Sequence, residues 1–334
     1  MSPESPIVVL DSGLGGLTVV RALRNSLPQE DILYFGDTAR LPYGTKTAHT
    51  VSGFIRQIIT YLLPSDPKHV VIACNTATAL ALPQVRAAFP GLTISGVVEP
   101  GAKAAVIAAG SKQVPTIGII ATEATIKSKA YERAIHRRRN HARIVLRPTP
   151  LLVPMIEEGR HPGDPLVRLA LEQYLKSMIQ HGLDVMVLGC THYPIFKGVI
   201  QKMVGGAVAV IDSGRQCADD VAARLGEAGM LRGAPRATGL TASMASTESA
   251  APSVPAESSE TEERAESTES AAPAKAADAA TRGILRCFVT DDPDRFQRLA
   301  PRFLGVEIAA PALVPPEELY GPERKGVWRM RLPA

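Results

Sequence analysis

With 334 residues, 45% of them hydrophobic, the chain is long enough for two domains with a core each, and no apolar run approaches the roughly 18 residues of a membrane span. Its N-terminus has no basic leader-like region, and four cysteines in so long a chain exclude a disulfide framework, so a cytoplasmic protein with reduced thiols and no membrane contact is expected. The net charge of +4 conceals an asymmetry: residues 241–282 hold eight acidic and three basic side chains, leaving +9 on the remainder. That excess is scattered except at His136-Arg137-Arg138-Arg139, and aromatics reach only 4%, without the basic and aromatic interleaving that stacks bases. A solvated surface and a small anionic ligand are expected, rather than nucleic acid.

In chain order, IVVLD at 7–11 is a continuous apolar run, which predicts a strand buried on both faces. The Gly-rich turn DSGLGGLT follows, then a helix over 17–27 stopped by Pro28, and a second strand at 31–37. The loop TARLPYGTK leads to an amphipathic helix over 48–63. VVIACNTAT at 70–78 reads as a buried strand ending on Cys74, followed by a helix over 78–89 and a strand at 92–97. The next segment repeats the rhythm, with strands at 116–120, 142–147 and 184–189 and helices over 101–109, 126–140 and 165–181. A strand at 207–213 precedes a helix over 215–228. Strand and helix alternating in this way predict an α/β protein with parallel sheets.

From about Thr238 the composition turns to Ala, Ser, Thr, Glu and Pro, and residues 245–281 contain no Leu, Ile or aromatic. Such a stretch cannot bury enough apolar surface to offset the entropy of ordering, so 238–282 is expected to be a disordered insert. Order resumes with ILRCFVTDD at 284–292, a helix over 293–304 and a strand at 306–310, before a Pro-rich tail from Pro311. The first domain is therefore expected to be discontinuous, made of 1–98, 207–237 and 283–334, with 99–206 as the second.

Ligands of open parallel sheets bind at the C-terminal ends of the strands. The elements expected there are Asp11-Ser12, Cys74-Asn75-Thr76 with Thr78, Cys190-Thr191-His192 and Asp212-Ser213, with the loop Pro42-Tyr43-Gly44 closing over them. The turn at 11–16 does not satisfy G-x-G-x-x-G, because Thr18 holds the third glycine position; it suits a carboxylate or simple turn chemistry better than a dinucleotide. A Cys ending a strand is ordinarily a small buried hydrophobe. Here the pattern returns 116 positions later, as VMVLGCTHYP with Cys190, and both thiols have polar followers. No C-x-x-C or H-x-x-x-H completes a metal site around Cys190 and His192. Cys217 and Cys287 lack such companions and are read as core. Two thiols on opposite walls of a cleft suit inversion at a carbon acid, one removing a proton while the other returns one on the opposite face.

The set DSGLGGLT, PYG, ACNTAT and GCTHYP, with VPMIEEG and VTDDPDRFQRLAPRFLG, closely resembles glutamate racemase, within the aspartate/glutamate racemase superfamily. The resemblance runs over almost the whole chain, apart from the 241–282 insert and the tail. It implies two α/β domains related by approximate two-fold symmetry with the active site between them, no cofactor, and D-glutamate made for peptidoglycan. It further implies Cys74 as the base toward D-glutamate, assisted by Asp11, and Cys190 as the base toward L-glutamate, assisted by His192 and Glu157. Ser12, Tyr43, Gly44, Asn75, Thr76, Thr78, Thr191, Asp11 and His192 correspond to its substrate-binding set. A homodimer follows from the same resemblance. Aspartate racemase, another two-Cys isomerase, or a non-catalytic binding protein such as a DNA gyrase inhibitor are the rival readings.

Overall fold

The computed structural model describes residues 1–233 and 282–320, which form one compact unit. The expected insert as far as Thr281, and the tail beyond Tyr320, lie outside the described residues. Among the described residues ten strands form two all-parallel sheets. The first comprises β1 (Ile7–Asp11), β2 (Ile32–Gly36), β3 (His69–Ile72), β4 (Ile94–Gly96), β9 (Leu285–Val289) and β10 (Ala312–Leu313), in the order β10-β9-β2-β1-β3-β4. The second comprises β5 (Thr116–Ala121), β6 (Arg143–Pro148), β7 (Val185–Gly189) and β8 (Ala209–Asp212), in the order β6-β5-β7-β8. The second sheet thus repeats the β2-β1-β3-β4 portion of the first, strand for strand, and β3 and β7 are equivalent.

Helices cover the sheets: α1 (Leu17–Ser26), α2 (Ala48–Leu62), α3 (Asn75–Ala88), α4 (Val98–Ala108), α5 (Glu123–Lys127), α6 (Ala130–His136), α7 (Leu152–Glu157), α8 (Pro165–Ile179), α9 (Lys197–Val204), α10 (Ser213–Glu227), α11 (Pro293–Leu304) and α12 (Pro316–Leu319). The strands read as unbroken apolar runs because both of their faces are buried. Ile7 and Val9 of β1 join one core cluster, while Val8 and Leu10 join the cluster on the opposite face with α2 and α3. Likewise Met186 and Leu188 of β7 point into the first cluster, and Val185 and Val187 into a third beneath α4 and α6. The first cluster takes residues from both sheets, so one continuous core joins the lobes. Among the described residues no helix is long and apolar enough to cross a membrane.

Three sequence expectations are corrected. The strand at 207–213, placed with the first domain, pairs with β7 and closes the second sheet as the counterpart of β4. The strand at 306–310 does not form; Val306 is exposed, and the edge of β9 is taken by Ala312–Leu313. The helix over 126–140 breaks at Lys129, whose φ of 56° is left-handed. Two short helices, α7 and α9, were not expected at all.

Candidate active site

The C-terminal ends of β1, β3, β5, β6 and β7 face a cavity of about 420 Å³, within the range of small-molecule sites. Both thiols line it, Cys74 from the first lobe and Cys190 from the second, and both are nearly buried. Neither lies in its strand. β3 ends at Ile72 and β7 at Gly189, and each thiol sits in the turn that follows. Cys74 is the N-cap of α3, which starts at Asn75, three residues earlier than its periodicity suggests.

Gly15 lets the lobes approach each other, and Gly16 lets the turn pack on Asp11 within the first lobe. A Cβ on Gly15 would overlap Thr191 Oγ1 and His192 Nδ1, and one on Gly16 would collide with Asp11. Both glycines have negative φ, so what they supply is close approach and not a left-handed turn. Thr18, which occupies the position a nucleotide motif would give to glycine, donates its hydroxyl to the Thr191 carbonyl at 2.9 Å and so ties α1 to the Cys190 loop.

The two thiols have different surroundings. Cys74 Sγ lies 3.8 Å from Ser12 Oγ, to which it donates. Burial, followed by the charge of Asp11, pushes this thiol up to about 12, so it rests protonated. Asp11 is fully buried behind the cleft, with Oδ2 accepting from the Gly13 amide at 3.0 Å and Oδ1 without a hydrogen-bond partner among the described residues. Burial raises its carboxyl, against the opposing pull of His192 and of the Gly16 and Gly13 amides. Cys190 Sγ lies 3.8 Å from His192 Nδ1, and His192 Nε2 lies 3.0 Å from Glu157 Oε1. Burial disfavours the imidazolium, but the bonds to Cys190 and Glu157 outweigh it and lift His192 to about 10. Burial raises the Glu157 carboxyl too, yet its bond to His192 and the charges of His192 and Arg295 hold it below its usual value. One thiol is thus backed by a hydroxyl and a buried carboxyl, the other by a cationic imidazolium paired with a carboxylate.

Of the other expected residues, Ser12, Tyr43, Gly44, Asn75, Thr76 and Thr191 line the cleft. Tyr43 is held by its hydroxyl, which donates to Asp37 Oδ2 at 2.5 Å; Arg40 and Thr290 bind the same carboxylate. Asn75 accepts from the Tyr131 hydroxyl at 2.7 Å and donates to Ser213 Oγ at 3.3 Å, which fixes α3 to the second lobe. Thr78 does not reach the cleft; its hydroxyl donates to the Ile72 carbonyl at 2.9 Å. Asp11, behind the cleft, is not among the lining side chains either. Asp212 caps α10 through the Gly214 and Arg215 amides. Glu158 borders the cleft, but Glu157 is the carboxylate that meets His192.

Sequence reading missed Thr122, Thr149 and Arg295, all of which line the cavity. Thr122 Oγ1 lies 2.8 Å from Thr76 Oγ1, a hydroxyl contact between the lobes. Thr122 and Thr149 follow β5 and β6 directly, so the rule that picked out Ser12 after β1 would have found them.

The sequence pattern of the Asp/Glu/hydantoin racemase family matches residues 17–220. The glutamate racemase of Neisseria meningitidis serogroup A is 45% identical over 228 residues, 68% of this chain and 83% of that protein. The crystal structure of glutamate racemase from Francisella tularensis in complex with D-glutamate is similar with a TM-score of 0.72 at 31% identity, covering 93% of this chain and 98% of that one. That of Thermus thermophilus in complex with β-chloro-D-alanine gives 0.72 at 35% identity, covering 95% and 100%. Family pattern, sequence identity and two-lobed architecture agree: the chain belongs to the Asp/Glu/hydantoin racemase family.

Proposed function

We propose that this protein interconverts L- and D-glutamate by cofactor-independent two-base proton transfer between Cys74 and Cys190, supplying D-glutamate for peptidoglycan in the cytoplasm. The observation that carries the reading is the pair of thiols, one beyond each of two equivalent strands, lining one cleft with different proton partners. A planar carbanion at Cα must be reprotonated from the face opposite deprotonation if configuration is to invert, so a single base does not suffice. In the direction from D-glutamate, Cys74 as thiolate takes the α-proton and the Cys190 thiol returns one; the reverse reaction exchanges the roles. Cys74 rests as a thiol, so its proton must leave when substrate binds, and Asp11 is the acceptor in this reading. His192, charged and held by Glu157, serves Cys190. Ser12, Tyr43, Gly44, Asn75, Thr76 and Thr191 contact the substrate, and Thr78 and Asp11 support these contacts from behind.

The test is circular dichroism of L- or D-glutamate incubated with the purified protein without added cofactor, with aspartate in parallel. The signal of either glutamate enantiomer should decay to zero while aspartate stays optically active. Persistence of the glutamate signal, or faster decay for aspartate, would refute the assignment. A homodimer belongs to this reading through the family resemblance, and light scattering at twice the 35.5 kDa chain mass is its expected signature.

A further inference from the structure

We propose that Arg295, on α11, is a positioning residue for the Cys190 arm, anchoring Glu157 so that Glu157 holds His192 against the thiol; this rests on the racemase reading above. Among the described residues Arg295 is the one lysine or arginine that lines the cleft. Its Nη2 lies 3.9 Å from Glu157 Oε2, while the other oxygen of that carboxylate meets His192. Arginine, carboxylate, imidazole and thiol therefore form one chain of contacts.

The helix that carries Arg295 is fixed at several points. Asp292 caps it, accepting from the Arg295 amide at 3.0 Å. Two turns further along the helix, Phe303 meets the His192 ring edge to face with centroids 5.4 Å apart. Next to it, Arg302 donates to the Arg160 carbonyl just beyond α7, the helix that ends at Glu157. α11 thus grips the ring, the carboxylate and the backbone behind the carboxylate. Arg295 reaches across from α11, in the segment that follows β9 of the first sheet, whereas Glu157 follows β6 and His192 follows β7 of the second. The charged groups around Glu157 are His192 and Arg295, with Glu158 and Glu123 on the same cleft, Asp291 and Asp292 across a small adjoining cavity and the Asp11 carboxyl behind.

A cation beside a carboxylate favours its ionised form, so removing Arg295 should raise Glu157. In Arg295→Met, kcat for glutamate should fall about ten-fold with KM nearly unchanged, and the acid limb of the pH–rate profile should move up by about half to one unit. Arg295→Lys, which keeps the charge, should restore the limb. In a Glu157→Gln background the Met substitution should have almost no further effect. Titration of the Glu157 side-chain carboxyl by ¹³C NMR reads the same coupling independently of turnover, and so separates a failure of this inference from a failure of the racemase assignment. An unmoved carboxyl titration in Arg295→Met would overturn the proposal. So would an effect confined to KM, or full additivity with Glu157→Gln, since a group that only touched substrate would behave in those ways.

Discussion

Gly15 shows at residue scale why this cleft admits so few side chains. The Gly13–Gly16 turn lies so close to the Cys190 loop that one methyl group would displace Thr191 and His192. Gly15→Ala should cost about 1–3 kcal/mol of stability through overpacking. It should lower kcat/KM at least about a hundred-fold, because the proton partner of Cys190 moves. Thermal melts and racemisation rates check the pair of effects, and a variant with near wild-type turnover would show that the close approach is not needed. In the sequence, Gly15 was legible as part of a turn with close approach but not as the seam between two lobes, because its partners Thr191 and His192 are some 175 positions away. Arg295 was illegible for the same reason. A single arginine in a helical segment carries no local sign of the carboxylate it will meet.

Single elements were read well where burial leaves a strong pattern. β2, β7 and β1 as far as Leu10 are apolar without interruption because helices cover both faces, and that pattern survives in the sequence. α7 and α9, of six and eight residues, are too short for helical periodicity to show. The placement of β8 depended on pairing, which composition does not encode; its partner is fixed by the repeat of the β2-β1-β3-β4 order in the second sheet. β3 carries a titratable residue with a measurable consequence. His69, buried, with Nε2 2.9 Å from Ser95 Oγ, is lowered from 6.5 to about 4, chiefly by burial and then by Arg224. Above about pH 6.5 the ring is neutral in both folded and unfolded chains, and its contribution to stability is intact. As pH falls from there toward 4, the unfolded chain takes up the proton first, and roughly 3 kcal/mol is lost. Urea unfolding at pH 7 and pH 4.5 should show this decline, and His69→Gln should flatten it. An equal pH slope in the two proteins would contradict the assignment.

For the whole molecule, the described chain breaks off and resumes at the pole opposite the cleft. Gly233 lies against Gln29, and Gly283 packs on Glu30 and donates its amide to the Pro28 carbonyl, just before β2 begins. Arg232 and Ile284 are both bonded to Asp31. The chemistry is at the other end of the strands, about 17 Å away for five residues of strand. Replacing residues 236–280 by about four Gly and Ser residues should therefore leave kcat/KM within about two-fold, since closing a short surface loop disturbs little. A ten-fold loss would show that the stretch serves the cleft.

Two lobes, two equivalent strands and two thiols make one claim: the proton removed and the proton returned travel by different cysteines. The most direct measurement is deuterium incorporation from D₂O during the first few percent of conversion of each glutamate enantiomer, read by NMR and mass spectrometry for the wild type, Cys74→Ser and Cys190→Ser. Product should carry deuterium at Cα while recovered substrate stays protiated, and each variant should lose racemisation by about 10²–10⁴-fold. Product that retains the substrate's own proton, or a variant that racemises at the wild-type rate, would contradict the two-cysteine mechanism.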